Sequence, residues 1–211
     1  MRKLLGLFFQ LLYHPFAWTY DLVAAVVSLG RWQDWVLQAR PFLHGRVLEI
    51  GYGPGHLQAA LNEAGLEAFG LDESRQMSRQ AGRRLRKKGY PVRLTRGYAQ
   101  SLPFQAGSFD CVAATFPSEF IFETQTLAEI RRVLKPGGQL VLVPSAWITG
   151  KNGLERLAAG LFRLTGQAGV LELVLPSMQG RIAASGFSVR HALVETQGSR
   201  VLVMVGEKNK T

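Results

Sequence analysis

Three glycines at alternate positions, Gly51, Gly53 and Gly55, lie in the stretch EIGYGPGH, directly after an apolar run. A strand that leads through a glycine-rich turn into a helix is the general site for an adenosine cofactor. Glycine permits the tight turn and close ligand approach, and the helix N-terminus favours negative charge. A dinucleotide site needs G-x-G-x-x-G, but His56 stands where the third glycine would be, and no G-x-x-x-x-G-K-[ST] sequence occurs. The turn therefore suits a cofactor with adenosine but no pyrophosphate.

An acidic residue, Asp72, closes the next apolar run, about twenty residues further on. At this place a carboxylate can accept hydrogen bonds from both ribose hydroxyls of a bound nucleoside. Each feature also has a structural explanation, because such glycine turns occur for packing reasons and aspartate is a common helix N-cap. The turn and the acid together favour a cofactor site.

Short apolar runs alternate with helical segments around these residues, which predicts βαβ units and a parallel sheet covered on both faces. We predict strands at 46–51, 67–72, 91–97, 108–116 and 139–145, with helices at 55–65, 74–89 and from 124 to the stop at Pro136-Gly137-Gly138. The last two strand patterns, 187–196 and 199–208, are separated only by Gln197 and Gly198. This spacing predicts an antiparallel hairpin at the sheet edge.

The 211 residues, of which 47% are hydrophobic and 19% charged, indicate a single globular domain spanning 1–211. The formal net charge of +10 favours an anionic partner, which is nucleic acid, an acidic lipid surface or only an anionic cofactor. The single cysteine, Cys111, excludes an internal disulfide and is typical of a reducing cytoplasm. We expect it to be a small buried apolar residue.

The N-terminal segment, 1–43, is expected to form helices that break at His14-Pro15 and near Gly30. Its apolar run begins like a secretory signal or a membrane anchor, but no cleavage site follows and polar residues interrupt it before the ~20 apolar residues that a span needs. The amphipathic segment either packs on the domain as a helical cap or lies in a bilayer surface. The sequence leaves both alternatives open.

Several stretches resemble the successive motifs of class I S-adenosylmethionine-dependent methyltransferases: VLEIGYGPGHL, GLDESRQM, LPFQAGSFDCV and IRRVLKPGGQLVLV. The resemblance covers residues 44–146 and is closest to the group that contains ubiquinone/menaquinone-biosynthesis methyltransferases and small bacterial phospholipid N-methyltransferases. It implies a Rossmann-like α/β fold in residues 44–211, with a seven-stranded, mostly parallel sheet, an antiparallel C-terminal hairpin, helices on both faces and extra N-terminal helices. It also implies that the cofactor is S-adenosyl-L-methionine.

The same resemblance assigns roles to residues around the cofactor. The glycine turn would line the methionine part, and Glu49 would reach its amino group through backbone or water. Asp72 would hold the ribose. The resemblance places the other cofactor contacts at Glu73, at Met77, which would flank the adenine, and at Thr115 and Phe116, which would face the sulfonium and the acceptor.

This chain departs from the family at the adenine amino group, where members commonly carry an acid in a G-D-A sequence. Here the residues read Gly97-Tyr98-Ala99-Gln100. The Ala99 amide can still serve the adenine, and Tyr98 can stack on it. Recognition of adenine by an acidic side chain is not expected.

Methyl transfer from a sulfonium needs a general base only if the acceptor must lose a proton, as a phenol or quinol does. The candidate bases near the expected pocket mouth are His14, Tyr20 and Glu119. No cysteine or histidine cluster has the spacing of metal ligands, so no metal is expected.

The acceptor is indicated by segments outside the cofactor motifs. Phe116-Pro117-Ser118-Glu119 replaces the Asn/Asp-Pro-Pro-aromatic sequence common in base-directed enzymes, and the basic helix 74–89 contains no aromatic residue for base stacking. Nucleic acid is therefore not the expected partner, and the helix is either solvated or binds phosphate. An apolar helix at 153–164 is expected to roof the site within an insertion near 150–178.

These observations favour a lipid-like acceptor, either a phospholipid amine or a prenylated quinol, taken from an anionic membrane surface. Two alternatives stay open: a soluble small-molecule methyltransferase, and a basic RNA-associated protein that binds the cofactor. The expected location is cytoplasmic, in solution or peripherally on the inner face of the membrane. The sequence leaves the oligomeric state open.

Overall fold

The computed structural model describes residues 30–149 and 167–209. The predicted helices before Gly30, with His14 and Tyr20, and the predicted roof helix at 153–164 lie outside these residues. The described elements are, in chain order, α1 Trp32–Leu37, β1 Arg46–Ile50, α2 His56–Glu63, β2 Glu67–Asp72, α3 Arg75–Lys87, β3 Leu94–Arg96, β4 Phe109–Thr115, α4 Thr124–Val133, β5 Leu134–Ile148, α5 Gln167–Ala184, β6 Phe187–Thr196 and β7 Ser199–Lys208, with 3-10 helices at Arg40–Phe42 and Glu119–Phe122.

The seven strands form one sheet in the order β3-β2-β1-β4-β5-β7-β6. Strands β1 to β5 run parallel, whereas β7 pairs antiparallel with both β5 and β6. This arrangement confirms the predicted α/β class, the strand number and the antiparallel hairpin. The strand order reverses at β1, which lies between β2 and β4, and ligands of open α/β sheets bind outside the carboxyl ends of the strands at such a point.

The central parallel strands β1, β2 and β4 are buried on both faces of the sheet. Alternation along β4 divides the two cores: Cys111 and Ala113 pack with α1 and α2 on one face, and Val112 and Ala114 pack with α4 on the other. All four are fully buried, which confirms the expectation for Cys111.

The helix predicted to stop at Pro136-Gly137-Gly138 ends slightly before that stop, because α4 ends at Val133 and Leu134 already begins β5. Pro136 cannot continue a helix and forces the residue before it towards an extended conformation. Leu134 pairs with Phe109, and the next pair joins Gln139 to Cys111, so the residues between them form an irregularity in the strand. At its other end β5 continues to Ile148, because it keeps its pairing with β7.

The C-terminal hairpin has the predicted bounds. Thr196 pairs with Ser199 across Gln197 and Gly198, and Gly198 has a φ of 73°. A positive φ at the second turn position is what glycine supplies without steric cost. Among the helices within the described residues, none has the length and apolar character needed to cross a bilayer.

Candidate functional site

The glycine turn joins β1 to α2 at the carboxyl edge of the sheet. Gly51, Gly53 and Gly55 all have positive φ, at 71°, 52° and 82°. A Cβ on Gly53 would meet no atom within 4 Å, and one on Gly51 would come only within 4.0 Å of Phe120 Cζ. These two glycines therefore leave the turn open to a ligand. Gly55 differs, because its Cβ would lie 2.7 Å from the Ala81 Cβ, so it permits close packing of α2 on α3.

Asp72 ends β2 beside this turn and is only 9% exposed. Its Oδ2 accepts a hydrogen bond from the Gly53 amide at 2.9 Å, and its Oδ1 accepts one from the Ser74 amide at 2.8 Å. Burial raises the pKa of Asp72, and the two backbone hydrogen bonds oppose that rise. Each carboxylate oxygen keeps a second lone pair, so the group can still accept hydrogen bonds from a ligand's hydroxyls.

Glu49, on β1, is 1% exposed and lines the same pocket as Gly51 and Gly53. Gln58 Nε2 donates to Glu49 Oε2 at 3.0 Å and also lies 2.9 Å from the Phe69 carbonyl oxygen. Burial raises the pKa of Glu49 to about 8, against the lowering effect of the Gln58 hydrogen bond. A cation bound beside it would stabilise the ionised carboxylate, so this site suits an amino group.

Tyr52, between the first two glycines, fixes the turn to the sheet. Its ring is buried over Gly70, in the middle of β2, and a Cβ on Gly70 would lie 2.6 Å from Tyr52 Cδ1. The Gly51 amide also donates to the Leu71 carbonyl oxygen at 2.8 Å. Our sequence analysis missed the roles of Gly70 and Gln58. Glycine inside a strand pattern was the available signal for the first, since it often marks a close approach.

Two aromatic rings form a wall at the edge of the pocket, which we call the aromatic wall: Trp32 and Phe116. Their centroids are 4.2 Å apart, and Trp32 lines the pocket together with Gly51 and Thr115. Phe116 directly follows β4 and has a φ of 48°, an unfavourable conformation for a residue with a Cβ. Its amide donates to the Val143 carbonyl oxygen at 2.7 Å, which helps to hold that conformation. The sequence analysis included Phe116 but missed Trp32.

The residues predicted for the adenine side lie at the start of α3 and after β3. Met77 and Ala99 are buried, whereas Glu73 is exposed and Tyr98 is 66% exposed. Ser74 caps α3 by accepting a hydrogen bond from the Met77 amide. The Met77 backbone is thus held in place, whereas Tyr98 has its ring in solvent.

Of the three candidate bases, only Glu119 belongs to the described residues. It begins the 3-10 helix that follows the aromatic wall, and its side chain is exposed. Within residues 30–149 and 167–209, no acidic, histidine and cysteine side chains cluster as metal ligands would.

The residues around this pocket fit S-adenosylmethionine. An open glycine turn permits close approach, Asp72 offers remaining acceptor capacity to a ribose, and the buried Glu49 offers a carboxylate to the ammonium group. The assignment of individual contacts stays a proposal.

Comparison with known proteins points to the same chemistry. A family model described as a methyltransferase domain matches residues 48–142. A demethylmenaquinone methyltransferase of Thermus thermophilus is 30% identical over 202 aligned residues, covering 83% of this chain and 90% of that protein. A ubiquinone/menaquinone biosynthesis C-methyltransferase of Blochmanniella floridana is 31% identical over 150 residues, covering 66% of this chain and 59% of the relative.

A similar fold occurs in a solved structure from Methanococcus maripaludis, described as a putative S-adenosyl-L-methionine-dependent methyltransferase. The TM-score is 0.65 at 17% identity, with 92% of each chain covered. At this identity the likeness concerns the fold, and it agrees with the strand order described above.

Proposed function

Because this chain belongs to the S-adenosylmethionine-dependent methyltransferases, we propose that it methylates a ring carbon of a prenylated quinol at a membrane surface. The names of the two relatives support an acceptor of the quinone class, and the second name specifies C-methylation. The bound cofactor supplies a methyl group that its sulfonium has already activated. The protein must then hold the acceptor in line with that group.

The aromatic wall is the observation that carries this proposal. Trp32 lines the pocket with Thr115 and Gly51, where the methionine end of the cofactor is expected, and Phe116 packs against Trp32. A planar quinol ring can pack on such a wall in an offset or edge-to-face arrangement, worth about 0.5–1.5 kcal/mol beyond area burial. The backbone of Phe116 fixes this wall, so the wall can hold the quinol ring at near-attack distance from the methyl group. Such positioning is the main source of rate enhancement in a transfer of this kind.

Proton removal is the second task of the chain, because a quinol becomes a carbon nucleophile when its hydroxyl loses a proton. For each methyl gained, the ring finally loses the hydrogen of the substituted carbon. We propose Glu119 as the acceptor of the hydroxyl proton, since its exposed carboxylate follows the aromatic wall by three residues. His14 and Tyr20 stay as proposed alternatives.

A membrane location follows from the acceptor in this proposal, since a prenylated quinol resides in the bilayer. A protein that takes such an acceptor needs an apolar route to the pocket or a surface that holds it against the membrane. The 30% identity to a demethylmenaquinone methyltransferase supports this class of acceptor more than a soluble one.

Acceptor competition in detergent micelles tests the proposal. The full chain is incubated with labelled cofactor and equal amounts of a prenylated 1,4-naphthohydroquinone, phosphatidylethanolamine and transfer RNA. Label in the quinol, absent with an Asp72→Ala variant, supports the proposal. Label predominantly in the phospholipid or in the RNA would contradict the proposal and would identify that molecule as the acceptor instead.

A further inference from the structure

Nearly all of the excess positive charge lies in one short segment. Residues 74–97 contain nine lysines and arginines and no acidic residue, whereas the rest of the chain contains sixteen cations and fifteen acids. The segment comprises α3 and the edge strand β3. The excess positive charge is therefore concentrated in one segment of the sequence, which a general need for solubility does not explain.

Five of these cations form a stripe along α3, which we call the cationic stripe: Arg75, Arg79, Arg83, Arg86 and Lys87. At 3.6 residues per turn they fall within an arc of about 120°. All five are exposed, and the opposite side of the helix packs Met77, Ala81 and Leu85 into the protein. Among the described residues, none of the five side chains is joined to an acid by an ion pair.

Like charges three or four residues apart destabilise a helix, so an unrelieved stripe is unfavourable in the isolated protein. The fold supplies no acid on this helix to relieve it. We propose that the cationic stripe docks the protein on the anionic phospholipid headgroups of a bilayer. The inference rests on the proposed function, because it supplies the surface that a membrane-resident acceptor requires.

The position of the stripe suits that role. α3 begins directly after Asp72, and the Ser74 amide donates to the Asp72 carboxylate. The Arg96 guanidinium donates to the Glu73 carbonyl oxygen, which ties the end of β3 to the start of the same helix. A membrane in contact with the stripe therefore lies along the side of the molecule that ends at the cofactor site.

The neighbouring side chains favour lipid over RNA. The stripe itself contains no aromatic residue on which a base could stack, as single-stranded nucleic acid requires. An exposed aromatic residue, Tyr98, follows β3 by two residues beside the proposed cofactor site. Tyrosine is enriched at the level of membrane headgroups, where its ring and its hydroxyl meet different environments.

Vesicle sedimentation tests the docking surface. The full chain is mixed with phosphatidylcholine vesicles that either contain or lack phosphatidylglycerol, and an Arg79→Gln/Arg83→Gln/Arg86→Gln variant is compared with the wild type. We expect the wild type to bind only the anionic vesicles. The triple variant should bind them on the order of 100-fold more weakly, since each cation near an anionic surface contributes roughly a five-fold factor.

The matched control neutralises three exposed arginines outside the stripe: Arg40, Arg181 and Arg190. Changed to glutamine, they alter the net charge equally, and vesicle binding should stay within about three-fold of the wild type. Equal losses in the two variants would mean that net charge alone attracts the protein, and wild-type affinity in the stripe variant would place the contact elsewhere. Either result overturns the proposal, as does salt-sensitive RNA binding that is lost in the stripe variant while vesicle binding persists.

Methyl transfer to the quinol in detergent micelles separates this inference from the proposed function. If docking fails while transfer in micelles persists, only the docking surface is wrong. If transfer in micelles fails, the acceptor is wrong whatever the vesicles show. Binding of S-adenosylhomocysteine by the stripe variant should equal that of the wild type, because none of the three changed residues lies in the proposed cofactor site.

Discussion

The Gly53 amide donates to Asp72 Oδ2 at 2.9 Å, and this hydrogen bond joins the glycine turn after β1 to the carboxyl end of β2. The two parts of the proposed cofactor site therefore form one unit. The same carboxylate holds the Ser74 amide at the start of α3 through Oδ1. A single buried side chain thus positions both the turn and the helix, and it keeps acceptor capacity for a ligand.

Replacement of Asp72 by alanine should abolish most cofactor affinity. The change removes the proposed acceptor of the ribose hydroxyls and leaves the Gly53 amide without its partner, and hydrogen bonds to a charged group are worth about 1.5–3 kcal/mol each. Titration calorimetry with S-adenosylhomocysteine should show a loss on the order of 100-fold or more. Asp34→Ala, which removes an exposed acid on α1, is the matched control and should bind normally. Near-normal affinity of Asp72→Ala would contradict the assignment.

The buried carboxyl of Glu49 should make stability fall as the pH rises. Its folded-state pKa is about 8, against an ordinary value of 4.5, so between these values the folded protein holds a proton that the unfolded chain has lost. The free energy of unfolding should therefore decrease by about 3–5 kcal/mol between pH 4.5 and pH 8.

A Glu49→Gln variant cannot titrate at this position, so its stability should lose most of that slope. Urea unfolding at pH 5, 6.5 and 8 measures the difference, with Glu67→Gln on the surface as control. Parallel slopes in wild type and Glu49→Gln would show that this carboxyl is ionised in the folded protein.

An acid at position 98 should strengthen cofactor binding. Related methyltransferases commonly carry an acidic residue at this place for the adenine amino group, whereas Tyr98 here has its ring in solvent. Tyr98→Asp would add one hydrogen bond to a charged acceptor and should tighten S-adenosylhomocysteine binding by about ten-fold or more. Tyr98→Ala is the control and should leave the affinity nearly unchanged. A large loss in Tyr98→Ala would show instead that the tyrosine stacks on the adenine.

The contact between Tyr52 and Gly70 should be visible in a double-mutant cycle. Gly70→Ala places a methyl group 2.6 Å from the buried Tyr52 ring and should destabilise the fold by about 1–3 kcal/mol. Tyr52→Ala removes the ring atoms nearest to that methyl group, Cδ1 and Cε1, so Gly70→Ala should cost less in the alanine background. Additive effects on the free energy of unfolding would mean that the two sites are independent.

Sequence reasoning found the features that local chemistry determines. The glycine turn, Asp72 and the hairpin at Gln197-Gly198 each depend on residues close together in the chain, and the alternation of strands with helices settles the fold class. It missed the contacts that only tertiary packing creates: Gln58 on Glu49, and Trp32 on Phe116. Trp32 and Phe116 belong to different elements far apart in sequence, and no spacing rule brings them together.

The oxidation state of the acceptor provides the most direct test of the proposed reaction. The purified chain is given S-adenosylmethionine and a short-prenyl 1,4-naphthoquinone in micelles, either reduced or oxidised, and the product is analysed by mass spectrometry and NMR. We expect one methyl group to be added to a ring carbon of the reduced form and none to the oxidised form, because only the quinol supplies a nucleophilic carbon. Methylation of the oxygen, or no transfer to the reduced form by a chain that binds the cofactor, would contradict the proposed reaction.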